Sequence, residues 1–277
     1  MIEFPDGAKL LVFGGPYSNV RATRALRAVA EARGIPAERI ICTGDVVAYC
    51  AEPAETVAEI RSWGVHVVAG NCEESLAQDL ADCGCNFEEG SACNALAKSW
   101  FEFASRKVGR DDRAWMAGLP RSLRFSLGGT TFKVVHGGNA GISRWVFASM
   151  RDVLAEERLL SGADVTIAGH CGLPFVADVD GHTWFNPGVI GMPANDGSPD
   201  GWYGLVEPRR EGLALSTHRL AYDHAGASRA LLGAGFANPY ARALATGLWP
   251  SLDVLPETER LVTGKPIAPV AVIARRR

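Results

Sequence analysis

The sequence lacks long apolar runs and any strong excess of charge. No window approaches the roughly 18 consecutive apolar residues that a membrane-spanning helix needs. Lys and Arg total 28 against 31 Asp and Glu, which leaves a net charge of −3 and no basic surface for nucleic acid or an anionic membrane. The first seven residues carry acids and a proline where a secretion signal has a basic region and an apolar core. These absences predict a globular cytoplasmic protein with no membrane or nucleic-acid partner.

Cysteine, in contrast, is plentiful for such a protein. Five of the seven cysteines fall between residues 50 and 93. The complete set is Cys42, Cys50, Cys72, Cys83, Cys85, Cys93 and Cys171. An odd number without a secretion signal argues against a disulfide framework. Buried inert thiols, a metal or iron–sulfur site, and reactive redox thiols remain as interpretations, because the spacing matches no standard zinc-finger or cluster signature.

The hydrophobic pattern alternates between strands and helices in the first part of the chain. Apolar runs at 9–13, 39–42 and 66–69 each end in a turn and precede a helical pattern, which is typical of a parallel sheet with crossover helices. Further on, Gly128-Gly129 and Asp180-Gly181 separate pairs of strand-like segments and indicate hairpins. With 47% hydrophobic residues the chain can bury a substantial core, so we predict an α/β fold.

The pattern also predicts the organisation of the chain. We expect one main domain over residues 1–220, with a helical Cys-rich insert at about 72–119. Residues 221–277 are helical and then Pro-rich, which predicts a C-terminal appendage packed on that domain. Within the main domain we predict a helix from about Val146 to Leu160. The oligomeric state is left open.

Four polar residues follow separate predicted strands, each beside a glycine. They are Asp45, Asn71, His136 and His170. Ligands collect outside the carboxyl ends of strands in open α/β sheets, so these side chains can converge on one edge. A carboxylate, an amide oxygen and two imidazoles suit Mn, Fe or Zn. Taken singly, Asp45 is equally well explained as a turn residue that caps the next helix, and a lone loop histidine is more often structural. The four together favour a metal site.

The motifs around these residues resemble those of the calcineurin-like metallophosphoesterases, most closely the small bacterial branch, over roughly residues 8–218. The matching segments, in order, are Thr43-Gly44-Asp45, Gly70-Asn71, Val135-His136-Gly137, Gly169-His170 and Asn186-Pro187-Gly188-Val189. The resemblance implies a four-layer αββα sandwich, with a two-metal phosphoester hydrolase site at the carboxyl edge of the sheets. It also implies a small phosphorylated substrate.

The sequence departs from the family pattern at three motifs. The Asp-x-His-x-Asn motif reads Gly15-Pro16-Tyr17-Ser18-Asn19, Cys72 stands where Gly-Asn-His has its histidine, and Gly-His-x-His ends on Gly172. In family terms the missing Asp, His and final His serve the first metal, whereas Asp45, Asn71, His136 and His170 complete the second-metal set. The resemblance therefore implies one retained divalent ion and a degenerate first-metal site.

Residue roles follow from this comparison as expectations. Asp45, Asn71 and Cys72 are the candidate catalytic residues, with Cys72 as a weak general acid. Tyr17 and Asn19 are candidate substrate contacts. Candidates for a further metal or redox site, such as Cys-bound zinc or an iron–sulfur centre, are Cys50, Cys72, Cys83, Cys85, Cys93 and Cys171.

Three functions fit these expectations. The first is hydrolysis of a phosphomonoester or phosphodiester with one Mn, Fe or Zn ion. The second is binding of a phosphorylated ligand or a protein partner through the remaining ion, without turnover. The third is a thiol or iron–sulfur redox sensor on the same scaffold.

Overall fold

Two β-sheets form the centre of the protein. In a computed structural model, residues 2–5, 7–235 and 239–274 are described, and within them the two sheets have six strands each. Residues 236–238 and 275–277 of the expected appendage lie outside the described residues. The strands are β1 (Ile2–Glu3), β2 (Leu10–Phe13), β3 (Ile40–Cys42), β4 (His66–Val67), β5 (Ser122–Leu127), β6 (Thr130–Val135), β7 (Val165–Ile167), β8 (Phe175–Val179), β9 (His182–Asn186), β10 (Gly201–Arg209), β11 (Gly212–Leu220) and β12 (Ala271–Ala274).

Helices cover the outer faces of the sheets. They are α1 (Val20–Ala32), α2 (Pro53–Trp63), α3 (Asn71–Ala77), α4 (Ala92–Lys107), α5 (Arg110–Ala117), α6 (Arg151–Ser161), α7 (His224–Gly233), α8 (Pro239–Thr246) and α9 (Glu257–Arg260), with a short 3₁₀ turn at Ala37–Arg39. No helix of the described residues is long and apolar enough to cross a membrane.

The first sheet has the order β12-β11-β10-β2-β3-β4. Strands β2, β3 and β4 pair in parallel, which confirms the strand–helix–strand pattern predicted for the first part of the chain. Strands β10, β11 and β12 extend this sheet in antiparallel fashion. The Pro-rich tail was predicted without a strand, yet β12 pairs with β11 through Leu213 and Ala274. Local patterning misses it because the pairing partner lies far away in sequence.

The second sheet has the order β1-β5-β6-β7-β9-β8. The two predicted hairpins are its antiparallel pairs, β5 with β6 and β8 with β9. Strands β6, β7 and β9 run parallel, so the segments that follow β6 and β7 emerge at the same edge. His136 directly follows β6, and His170 lies three residues beyond the end of β7.

Apolar clusters among the described residues show four layers. Val12, Ile41 and Phe132 belong to the cluster between the sheets and are at most 1% exposed. Leu26 and Ile60 belong to the cluster beneath α1 and α2, while Leu154 belongs to the cluster beneath α6. Close packing on both faces of both sheets stabilises this arrangement. The predicted αββα sandwich with a C-terminal helical region is confirmed.

The predicted start of α6 is wrong. The helix begins at Arg151 rather than near Val146. Val146 and Phe147 lie in the preceding loop, yet they are 2% and 1% exposed and pack in the apolar cluster beneath α6. Their apolar character reflects this tertiary contact, and periodicity alone cannot separate it from the first turn of a helix.

Candidate metal centre

The loop after β3 places Asp45 against the loop after β4. Asp45 has φ 55°, in the left-handed region, and Gly44 before it has φ 94°. A Cβ atom at Gly44 would lie 2.6 Å from the Gly70 nitrogen, so only glycine allows the two loops to meet. Helix α2 begins at Pro53 with Glu52 as its N-cap, so Asp45 does not cap it. The alternative interpretation of Asp45 as a helix cap is therefore excluded.

Glu73 fixes both loops. Its Oε2 atom accepts hydrogen bonds from the nitrogens of Asp45 at 2.8 Å and Gly70 at 2.9 Å, and its Oε1 atom accepts from Val46 at 2.8 Å. Burial, reinforced by the Asp45 carboxylate, raises the pKa of Glu73 to about 7. We assigned no role to Glu73 from the sequence. Its position three residues after Gly70, at the third residue of α3, is a capping-box signal that could have found it.

His136 lies at the centre of the four predicted ligands. Its Nδ1 atom contacts the Thr43 carbonyl at 2.7 Å, and because a carbonyl only accepts, Nδ1 carries the proton. Its Nε2 atom lies 3.0 Å from Asn71 Oδ1, 3.0 Å from His170 Nδ1 and 3.3 Å from Asp45 Oδ2. The structure thus brings all four predicted ligands together in a buried cluster.

The orientation of Asn71 adds to the same arrangement. Its Nδ2 atom donates to the Cys83 carbonyl at 2.8 Å and to Cys85 Sγ at 3.3 Å, which turns Oδ1 toward His136. When His136 is neutral, its unprotonated Nε2 atom faces a carboxylate oxygen and an amide oxygen, both of which only accept. A single cation would satisfy these atoms together.

The pKa shifts of Asp45, His136 and His170 indicate that the cluster favours a positive charge. Burial raises the pKa of Asp45, but the charge and hydrogen bond of His136 outweigh burial and lower it overall. Burial lowers the pKa of His136, but the charge and hydrogen bond of Asp45, the Thr43 carbonyl and the Glu73 charge together outweigh burial and raise it. Burial and His136 lower the pKa of His170 to about 3, so its ring is neutral. The cluster therefore favours a positive charge at Nε2 of His136, as a cation or a proton.

The donor set fits a divalent transition metal. Ligand atoms of Asp45, His136 and His170 all lie within 4.8 Å of one another. Nε2 of His170 is buried and forms no hydrogen bond of normal geometry among the described residues, although the Ser143 carbonyl is near enough to raise its pKa. Carboxylate, amide and imidazole ligands suit Mn, Fe or Zn. Asp45, Asn71, His136 and His170 are the residues that would hold the ion.

Cys72 is buried beside Asp45, and its backbone nitrogen donates to Asp45 Oδ1 at 3.3 Å. Burial, followed by the charges of Asp45 and Glu73, raises its pKa well above the usual value for a thiol. The side chain is therefore a protonated thiol at neutral pH. Such a group can donate a hydrogen bond, but it is a weaker acid than an ordinary cysteine.

The other predicted thiols are not gathered at one point. Cys83 and Cys85 form a local disulfide next to Asn71. Cys50 Sγ contacts the Gly191 carbonyl at 3.7 Å, and Cys171 Sγ accepts from Asn186 at 3.1 Å. Cys93 is buried near Ser251. Over the described ranges, the only group of three or more His, Cys, Asp and Glu side chains placed to share an ion contains no cysteine.

The segment Gly15–Asn19 offers no metal ligand at its glycine. Gly15 has φ 42°, and a Cβ atom there would lie 2.5 Å from Tyr17 Cζ, so the Tyr17 ring fills the space of any side chain at position 15. Asn19 is the N-cap of α1: its Oδ1 accepts from Ala22, and its Nδ2 donates to the Gly191 carbonyl at 3.0 Å. Both ends of the Asn19 amide therefore have partners within the protein.

The space around Gly172 is also filled by an aromatic ring. Gly172 has φ 76°, and a Cβ atom there would meet Trp249 Cζ2 at 3.4 Å. Trp249 belongs to the C-terminal region and is held by a hydrogen bond from its Nε1 atom to the Pro193 carbonyl at 2.7 Å. We did not connect Trp249 with the site from the sequence, because its contact with Gly172 spans distant segments.

Comparisons with known proteins show which family and which folds the chain is similar to. A family model described as the calcineurin-like phosphoesterase superfamily domain matches residues 18–210. A metallophosphoesterase from Sphaerobacter thermophilus has a similar structure, with 22% identity, a TM-score of 0.67 and coverage of 88% of this chain and 100% of its own. A hypothetical protein from Pyrococcus horikoshii OT3 shows 17% identity, a TM-score of 0.72 and coverage of 87% and 99%.

A search of curated proteins gave no match. The two similar structures are too distant in sequence to show more than the fold. The family model, however, spans most of the chain and includes the loops that carry Asp45, Asn71, His136 and His170. The chain therefore belongs to the calcineurin-like phosphoesterase superfamily.

Proposed function

We propose that the protein hydrolyses a small phosphomonoester or phosphodiester with one divalent transition metal, Mn, Fe or Zn. The observation that carries the proposal is the surroundings of His136 Nε2, where Asn71 Oδ1, His170 Nδ1 and Asp45 Oδ2 converge within 3.3 Å. Membership in a phosphoesterase superfamily supports the reaction class. We further propose that residues 1–220 form the catalytic domain and that 221–277 form its appendage.

The residues of the chain act by holding this arrangement in place. The Thr43 carbonyl fixes the tautomer and orientation of His136, and Glu73 fixes the backbone of Asp45. The ion would supply Lewis acidity toward a phosphoryl oxygen and toward water. We propose that Cys72 serves as a hydrogen-bond donor beside Asp45, because its raised pKa makes it a poor acid.

The proposal predicts a metal-dependent activity. Protein stripped with a chelator and reloaded with Mn, Fe(II) or Zn should hydrolyse p-nitrophenyl phosphate or bis-p-nitrophenyl phosphate. Asp45→Asn should reduce the rate by at least about 100-fold, since it weakens the ion's ligand set. Asp111→Asn is the matched control, because Asp111 is exposed on α5. Absence of turnover with all three metals would contradict the proposal.

A second candidate is binding of a phosphorylated ligand without turnover. The absence of ligand side chains at Gly15 and Gly172 favours it, because phosphoryl transfer depends chiefly on positioning and charge stabilisation. Thermal stabilisation of the Mn-loaded protein by phosphate esters, with no release of phosphate or alcohol, would support binding over hydrolysis. Release of either product would exclude binding as the sole function.

A further inference from the structure

An aromatic pocket lies directly beside the metal cluster and shares His170 with it. The pocket is partly open to solvent. Six of its lining residues are Phe, Tyr or Trp: Tyr17, Tyr49, Phe87, Trp145, Tyr240 and Trp249. Of the described residues that line the pocket, none is Asp, Glu, Lys or Arg.

Five of the six rings form two groups, and within each group the rings are in contact although they come from distant parts of the chain. Trp145 lies 4.1 Å from His170 and 5.8 Å from Phe87, measured between ring centroids. Tyr49 lies 4.8 Å from Tyr17 and 4.9 Å from Tyr240. Phe87, Trp145 and Trp249 are each partly exposed, so ring surface remains open to a ligand.

The pocket is also electrically neutral. The described lining residues have no charged side chain, and burial raises the pKa of Tyr49 well above the usual value for a phenol. A charged group that entered this pocket would lose hydration without gaining an ionic partner. An uncharged apolar group would instead gain from leaving water, and a flat ring could stack on the exposed aromatic surfaces.

We propose that the aromatic pocket binds the leaving group of the substrate, and that this group is an uncharged aromatic ring joined to one phosphoryl ester. The inference rests on the proposed function, in which the phosphoryl group lies at the metal cluster. Hydrolysis breaks the bond between phosphorus and the ester oxygen, forms a bond from phosphorus to the oxygen of water, and releases the aromatic alcohol with a proton from that water. A second phosphoryl group would find no cationic side chain among the described pocket residues.

The kinetic test compares three esters of similar intrinsic reactivity, namely benzyl, cyclohexylmethyl and methyl phosphate. Burial of the ring should raise kcat/KM for benzyl phosphate at least about 10-fold above methyl phosphate. We expect kcat/KM for benzyl phosphate to exceed that for cyclohexylmethyl phosphate by about 2- to 10-fold. The two groups are similar in size, so this difference would show that the aromatic ring stacks in the pocket. Equal kcat/KM for all three esters would overturn the inference.

Variants locate the preference in the pocket. Trp249→Leu should lower kcat/KM for benzyl phosphate by about 2- to 10-fold more than it lowers kcat/KM for methyl phosphate. Phe87→Leu, at a partly exposed position, provides a second pocket variant should Trp249→Leu not fold. Trp115→Leu is the matched control, because Trp115 lies on α5, beneath Arg61 and outside the pocket. Equal losses for benzyl and methyl phosphate in both pocket variants, or no loss in either, would contradict the assignment.

A binding measurement separates failure of this inference from failure of the proposed function. Benzylphosphonate and methylphosphonate cannot undergo the ester hydrolysis, and calorimetry on the Mn-loaded protein reports their binding directly. Tighter binding of benzylphosphonate together with no turnover of any ester would support the pocket and refute hydrolysis. Turnover with no preference for benzylphosphonate would support hydrolysis and refute the pocket, and failure to bind either phosphonate would also refute the pocket.

Discussion

The metal cluster and the aromatic pocket meet at His170, yet one is built from polar atoms and the other from rings. In the cluster, short loops after β3, β4, β6 and β7 direct oxygen and nitrogen atoms to one point. In the pocket, Tyr17 covers Gly15, and Trp249 covers Gly172. These are the positions where the family resemblance expects first-metal ligands. This contrast underlies our proposal that the cluster holds one ion and that the space beside it binds an apolar part of the substrate.

Removal of the His136 imidazole should have the largest effect on metal binding by the cluster. His136→Ala leaves Asp45, Asn71 and His170 without the group on which they converge. We expect metal affinity to fall by more than about 100-fold. Mutation of a residue that only hydrogen bonds to a metal ligand usually costs about 10- to 100-fold, and loss of a ligand itself should cost more. Metal titration followed by calorimetry measures this change. His66→Ala is the control, because the His66 side chain lies outside the cluster and its Nε2 atom contacts the Glu38 carbonyl at 3.1 Å. An equal loss in both variants would contradict the assignment.

Glu73→Gln should have the next largest effect. The side-chain amide keeps one acceptor oxygen but turns its NH₂ group toward backbone nitrogens that also donate, so the Asp45 loop loses its fixed position. We expect metal affinity to fall by about 10- to 100-fold. Glu74→Gln is the matched control, because Glu74 pairs with the exposed Arg121. Unchanged affinity in Glu73→Gln would show that Glu73 has only a structural role.

A histidine at position 172, where the family pattern has one, tests whether this single substitution is enough to bind a second ion. Gly172→His should bind no additional ion, because its φ of 76° and the Trp249 ring at 3.4 Å oppose a side chain directed at the cluster. We expect a loss of stability of about 1 kcal/mol from the left-handed backbone. Metal content and thermal unfolding measure the two effects. A second bound ion in this variant would show that the pocket is a metal site with one missing ligand.

Loss of a single support for Asn71 should have the smallest effect. Cys85→Ser removes the disulfide and the sulfur acceptor, but Asn71 Nδ2 keeps its 2.8 Å hydrogen bond to the Cys83 carbonyl. We expect metal affinity to change by no more than about 5-fold, equivalent to one neutral hydrogen bond. The unmodified protein with and without dithiothreitol serves as the comparison. A larger loss of metal affinity would show that the disulfide is needed to orient the Asn71 side chain.

The cluster could be predicted from the sequence because each ligand belongs to a local signal. Asp45, Asn71, His136 and His170 each lie beside a glycine near the end of a strand, and parallel strands bring such ends to one edge. The pocket could not be predicted in this way. The contact between Trp249 and Gly172 depends on how the C-terminal region packs, and residue spacing carries no information about it.

In the fold, too, the features set by local sequence could be predicted, and those set by tertiary contacts could not. The strand–helix units and both hairpins follow from local periodicity and turn glycines, whereas β12 depends on pairing with β11. The start of α6 was misjudged because Val146 and Phe147 are apolar for a tertiary reason. Glu73 was overlooked because a capping position is also a common helical position, and only its contacts with Asp45 and Gly70 show its role.

We propose above all that the cluster around His136 holds one ion and that the aromatic pocket holds none. The most direct measurement is the metal content of protein reloaded with Mn, by elemental analysis, combined with anomalous scattering from a crystal of that protein. We predict one ion per chain, located between Asp45, Asn71, His136 and His170. Two ions per chain, or an ion in the pocket between Tyr17 and Gly172, would contradict the account.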